Sequence, residues 1–170
     1  MSDKPMDPKL ARAIAEIECV AEERRRIYEA SRPKRLYLAG PINDCSDGQA
    51  HGWRETVMQA LAGRYEFVNP MVRDYRGHED QNVAAIVEGD LADIRSCHAM
   101  LAYVWKPSTG TAMEIRFASK ELGIPVYAVS THPVSPWLRY HATVYTAIGD
   151  AILELAQRVS PLGASVEPTA

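Results

Sequence analysis

Residues 99–129 read AMLAYVWKPSTGTAMEIRFASKELGIPVYAV, and their pattern decides the architecture. Ala99–Val104 is a near-continuous apolar run of strand length. Lys106–Gly110 is a tight loop, and Thr111–Leu122 reads as a helix that stops at Gly123. Pro125–Val129 is a second short apolar run. Strand, loop, helix, strand is a βαβ unit, and it predicts parallel strands buried on both faces.

Outward from this unit the alternation continues. Upstream, Lys34–Ala39 (KRLYLA) reads as a strand ending at Gly40-Pro41, His51–Ala62 as a helix, and Tyr65–Val68 as a short strand ending at Asn69-Pro70. Segment 71–81 is polar and irregular, and Asn82 to about Cys97 reads as a helix. Downstream, one last helix is expected over about Tyr140–Val159. An amphipathic helix occupies residues 7–30, where Leu10, Ile14, Ile17, Val20, Ala21 and Ile27 recur at helical spacing. The expected organisation is a helical extension over 1–32, an α/β domain over 33–160 and a frayed tail over 161–170. In an open parallel sheet the ligand site lies at the carboxyl ends of the strands. That places it among loops 40–49, 69–81 and 105–111.

Composition narrows the function. The 170 residues, 46% of them hydrophobic, suit a single sizeable core. A net charge of −3 gives no global field to hold a nucleic-acid polymer. No apolar run is long enough for a membrane span, and the polar MSDKPMDPKL start lacks a signal-peptide core. Cys19, Cys45 and Cys97 are too scattered for a disulfide framework or a zinc site, so free thiols in a cytoplasmic protein are expected. No metal or cofactor is expected. GxGxxG and Walker A patterns are absent, which disfavours a conventional dinucleotide fold or P-loop.

Three segments carry candidate chemistry. In Trp105–Ala118, Ser108, Thr109 and Thr111 can cap a helix whose free N–H groups suit an anion. Gly110 permits close backbone approach or positive φ. Glu114 is placed in the first turn, where the helix dipole favours a carboxylate. Asp90 and Asp93, three apart, share a helix face, and one of them suits a general acid. Tyr37 is the one polar-tipped side chain of its strand. Each has a structural alternative: Ser/Thr-x-x-Glu is also a capping box, the aspartates a solvated face, and Tyr37 a satisfied core tyrosine.

Taken together, YLAGPI at 37–42, Asp-Leu-x-x-Ile at 90–94 and Gly-Thr-x-x-Glu-Ile at 110–115 resemble the nucleoside 2-deoxyribosyltransferase superfamily over about residues 34–140. The resemblance implies a flavodoxin-like fold and double displacement through a glycosyl ester on Glu114. Tyr37 would orient that glutamate and Asp90 would assist at the base or sugar. It further implies substrate contacts from Gly40, Ile42, Asp93, Ser108, Gly110, Ser135 and Arg139. Transferases of this superfamily usually carry an aspartate six residues before the nucleophile. Ser108 stands there instead, as in the 2′-deoxynucleoside 5′-phosphate N-hydrolase branch, where the serine binds the 5′-phosphate. In that branch a tyrosine at position 37 goes with deoxyribose. Ser135-Pro-Trp-Leu-Arg139 resembles the hydrolase segment that reaches the neighbouring subunit's site, which implies a homodimer or larger homo-oligomer. Pro41 and Asn43 depart from the hydrolase loop, which has a serine and a phosphate-holding arginine. Arg116 replaces a common glycine and is a candidate substitute for that arginine.

The expected activity is N-glycosidic cleavage of (2′-deoxy)nucleoside 5′-monophosphates. The alternatives are base exchange on free deoxynucleosides and a non-catalytic nucleotide sensor. Trp53, Tyr75 and His78 are candidates for base stacking from loops 43–53 and 69–81.

Overall fold

The computed structural model describes residues 7–31 and 33–159. They form two compact units, divided at residues 32 and 33. The first consists of helix α1 (Pro8–Ser31), with an Arg12–Glu16 ion pair one turn apart. The expected tail at 161–170 lies outside the described residues.

The second unit contains β1 (Lys34–Ala39), α2 (Asp47–Ala60), β2 (Tyr65–Val68), α3 (Val83–Arg95), β3 (Ala99–Tyr103), α4 (Thr109–Arg116), β4 (Val126–Val129), α5 (Pro136–His141), β5 (Thr143–Tyr145) and α6 (Ile148–Arg158). The five strands make one parallel sheet in the order β2-β1-β3-β4-β5. This is the flavodoxin-like α/β fold, with its topological switch between β1 and β3.

Strand parity distributes the side chains. Leu36 and Leu38 enter one core with Trp53, Val57 and Leu61 of α2 and Ala151 and Leu155 of α6. Tyr37 and Ala39 enter the other, with Ile94 of α3 and Ile115 of α4. Because successive strand residues face opposite sides, Tyr37 can only meet α3 and α4.

Several boundaries differ from the sequence reading. Helix α2 begins at Asp47 rather than His51, because Ser46 and Gln49 form a capping box. The helix expected over Tyr140–Val159 is three elements: the end of α5, the edge strand β5, and α6. Ala142 turns extended and sends Thr143–Tyr145 alongside β4, adding a fifth strand to the four expected. The helix expected over Thr111–Leu122 starts at Thr109 and changes to π geometry over Phe117–Glu121.

The turn after β1 is tightly seated. A Cβ built on Gly40 would lie 2.8 Å from Cζ2 of Trp53 and 3.2 Å from the Tyr103 carbonyl oxygen. Trp53 is buried and packs on Tyr103 at 5.5 Å between ring centroids, so it has little room to yield. Gly40→Ala is therefore expected to destabilise the fold by about 1–3 kcal/mol through overpacking. Equilibrium denaturation checks this.

Candidate active site

The chain leaves β1 and β3 in opposite directions, and a cleft of about 110 Å³ opens where they diverge. Gly40, Ile42, Asp90, Ser108, Gly110 and Glu114 line it. Six positions singled out in sequence thus meet at one place, with Tyr37 beneath them. Arg73, Tyr75 and Arg76 of the β2–α3 loop form another part of the wall.

At its floor the Tyr37 hydroxyl donates a 2.7 Å hydrogen bond to Oε1 of Glu114. Tyr37 is fully buried. Burial, reinforced by the nearby carboxylates of Glu114 and Asp90, pushes its phenol far above the ordinary range, so it stays a donor. Glu114 is partly buried, and desolvation pushes its carboxyl up to about 7. Asp90 adds to the rise, while the Tyr37 hydrogen bond and the Arg54 charge oppose it.

This corrects the expected origin of Glu114's charge state. Ser108 is the N-cap of α4, accepting from the Thr111 N–H at 3.3 Å and from the Thr111 hydroxyl at 3.0 Å. The helix therefore starts at Thr109, and Glu114 falls in the second turn, outside the capping box and past the strongest part of the dipole. Desolvation outweighs what dipole remains. Gly110 is helical rather than at positive φ, with open space where its Cβ would stand.

Asp90 and Asp93 share one cation. An Arg73 guanidinium nitrogen lies 2.7 Å from Asp93 Oδ2 and 3.2 Å from Asp90 Oδ1. Burial raises the Asp90 carboxyl above its ordinary range, with Arg73 opposing the shift. Asp93 is closer to Arg73 and does not line the cleft, so it anchors the arginine. Arg73 was missed in sequence. Its signal was an arginine in a site loop opposite two aspartates on one helix face. Arg76, in the same loop, pairs with Asp74 and with Asp47 of α2 and donates to the Cys45 carbonyl oxygen, tying two site loops together. Lys106 ties a third, donating to the Asn43 and Asp44 carbonyl oxygens at 2.7 and 3.2 Å.

Other expected positions lie elsewhere. Ser135 caps α5, accepting from the Leu138 N–H, and lines a separate cavity of about 850 Å³ with Trp137, Leu138 and Met113. Ser108 and Thr111 border both cavities. The titratable lining of the larger one is Lys106, Arg116, His132 and His141, with no carboxylate, whereas Asp90 and Glu114 line the smaller cleft. Arg139 is exposed on α5 and lines neither. Arg116 pairs with Glu121 and borders the larger cavity, outside the Glu114 cleft. Trp137 is 74% exposed, so it does not plug the core. Of the stacking candidates, Tyr75 lines the cleft, while Trp53 is buried and His78 exposed away from it.

No cluster of His, Cys, Asp and Glu among the described residues could hold a metal ion, and no described helix is long and apolar enough to cross a membrane.

A five-stranded parallel sheet with a tyrosine–glutamate pair at its switch point belongs to the doubly wound class of α/β domains, whose ligand sites lie at the carboxyl ends of the strands. The family model described as nucleoside 2-deoxyribosyltransferase matches residues 36–157, and the chain belongs to that family. No curated protein sequence matches it. Among solved structures it is similar to the 2-deoxyribosyltransferase of Bacillus psychrosaccharolyticus, with 19% identity and a TM-score of 0.56, covering 75% of this chain and 98% of the other. The 2-deoxyribosyltransferase of Leishmania mexicana has 22% identity and a TM-score of 0.49, covering 67% and 75%. The CMP N-glycosidase of Clostridium botulinum has 20% identity and a TM-score of 0.48, covering 72% and 98%. The first of these likenesses speaks to the fold.

The raised Glu114 carboxyl has a consequence for stability. Below about pH 4.5 the group is protonated both folded and unfolded, and nothing is lost. Between about pH 4.5 and about 7 the unfolded group ionises while the folded one stays protonated, so stability falls with rising pH and the loss is complete above about 7. Glu114→Gln, which keeps an acceptor for Tyr37, is expected to be more stable than wild type above pH 7, by about 1–3 kcal/mol after allowing for partial exposure. The difference should shrink towards zero below about pH 4.5. Urea denaturation at the two pH values measures it.

Proposed function

We propose that the chain cleaves the N-glycosidic bond of 2′-deoxynucleoside 5′-monophosphates through a glycosyl ester on Glu114. The observation that carries this reading is the Tyr37–Glu114 hydrogen bond beside Asp90 in the switch-point cleft. Tyr37 holds Oε1, leaving Oε2 to attack C1′. As the C1′–O bond forms, the C1′–N bond breaks and its electron pair leaves with the base. Asp90, whose carboxyl burial raises above its ordinary range, suits proton delivery to that base. Water then attacks C1′, releasing the Glu114 carboxylate and passing its proton to Asp90. The cycle balances as base plus sugar phosphate from nucleotide plus water.

The phosphate assignment rests on Ser108. Its hydroxyl and the first N–H groups of α4 meet at the cleft, where they suit a dianion and an aspartate would repel it. The deoxyribose assignment rests on Tyr37, whose hydroxyl beside C2′ would crowd a 2′-OH. The same reading makes a cytoplasmic homodimer the smallest active unit, with Ser135 and Arg139 completing the neighbour's site. Trp137, Tyr140 and Met113, 74, 71 and 61% exposed, support an apolar interface there.

One observation favours a second reading, base exchange on free deoxynucleosides. Both arginines lining the cleft, Arg73 and Arg76, are already committed to aspartates. An uncharged 5′-hydroxyl needs no cation there. The deciding assay incubates the protein with each dNMP and each deoxynucleoside, with and without a second base. Base release from dNMP without exchange is expected. Exchange on free deoxynucleosides would establish the second reading, and tight binding with no turnover would make the protein a sensor. Ser108→Asp should raise KM for a dNMP by about tenfold or more while sparing a deoxynucleoside.

A further inference from the structure

Arg54 is the largest fully buried side chain among the described residues, with no exposed surface. It sits in α2 on the stripe Ala50, Trp53, Val57, Leu61 that faces the sheet, at a position where helical spacing calls for an apolar residue. A buried guanidinium ordinarily needs an anion in contact. No ion pair to Arg54 is found among the described residues. Its donors go to carbonyl oxygens: Leu38 at 3.2 Å, Gly40 at 3.0 Å, and Ala50 one turn back. The plane also lies 4.5 Å from the Trp53 ring centroid.

Those acceptors locate its role. Leu38 follows Tyr37, and Gly40 lines the cleft. Arg54 therefore pins the turn carrying Tyr37 and Gly40 from beneath, while Trp53 blocks it sterically. We propose that Arg54 is a positioning residue for Glu114, one that fixes the Gly40 turn through carbonyl oxygens and brings a permanent positive charge to the turn that lines the Glu114 cleft. This rests on the reading of Glu114 as the reacting carboxylate.

The electrostatics agree in both directions. Burial lowers the Arg54 guanidinium to about 10, and the Glu114 charge opposes that lowering. It remains a cation at neutral pH. Reciprocally, Arg54 is the cation that opposes the rise of the Glu114 carboxyl to about 7. The other groups facing Glu114 are Tyr37 from β1 and Asp90 from α3. Arg73, Tyr75, Arg76 and Glu79 stand in the loop that walls the cleft.

The test compares Arg54→Gln, which keeps two donors and loses the charge, with Arg54→Lys, which keeps the charge and loses the fork. Carbon-13 NMR follows the Glu114 carboxyl with pH, its signal assigned by its loss in Glu114→Gln. Arg54→Gln should raise the midpoint by about one unit, and Arg54→Lys should leave it near wild type. In turnover, Arg54→Gln should lose about fivefold at pH 7, as the ionised fraction falls, and recover as pH rises. A loss equal at all pH values with an unmoved midpoint, or an equal rise in the lysine variant, overturns the proposal. If Arg54→Gln does not fold, the wild-type Arg54 Nε resonance decides. It must move with the Glu114 midpoint and stay still in Glu114→Gln; no movement in wild type overturns the proposal. The nucleophile assignment fails separately, through full turnover in Glu114→Gln, and the NMR midpoints do not depend on it.

Discussion

A strand residue shows its side chain to one face of the sheet, and for Tyr37 that face carries α3 and α4. Its hydroxyl, 2.7 Å from Glu114, ties the middle of β1 to the second turn of α4. Asp90 comes to the same point from α3. A one-residue slip of β1 would send Tyr37 to the α2 and α6 face and dissolve the assembly. The register of β1, with Tyr37 opposite Val68 and Met100, therefore sets the site's geometry.

Around that bond the protein concentrates charge where desolvation is strongest. Glu114, Asp90 and Arg54 are each shifted toward neutrality by burial. Opposing charges and contacts hold them back: Tyr37 and Arg54 for Glu114, Arg73 for Asp90, and the Glu114 charge for Arg54. Such an arrangement costs stability, a cost commonly met at functional sites. The loops that enclose it are clamped by Arg76 and Lys106, so the cleft walls are defined by side chain to backbone bonds as much as by helices.

Much of this was legible in the sequence. The βαβ alternation gave four of the five strands and the switch-point location, because buried parallel strands are written as apolar runs. Glu114, Asp90, Ser108, Gly40, Ile42 and Gly110 meet at one cleft because strand ends and the following helices converge there. The fifth strand was hidden: Thr143–Tyr145 is only three residues long, between two helical stretches. The position of Glu114 within its helix was misjudged because Ser108 rather than a later threonine caps it. Arg73 and Arg54 were passed over because their partners are distant in sequence. Arg54 was nonetheless written into the pattern, as a charge within an apolar stripe. Ser135 and Arg139, singled out by the resemblance, stand outside the Glu114 cleft of their own chain.

The central claim is that Glu114 becomes covalently attached to the sugar. A 2-fluorinated substrate analogue slows hydrolysis of such an ester and lets it accumulate. Intact mass spectrometry followed by peptide mapping should find one sugar phosphate per chain, on the peptide containing Glu114, and none in Glu114→Gln. An adduct on another residue, or steady base release with no adduct under conditions that saturate the enzyme, would contradict the account.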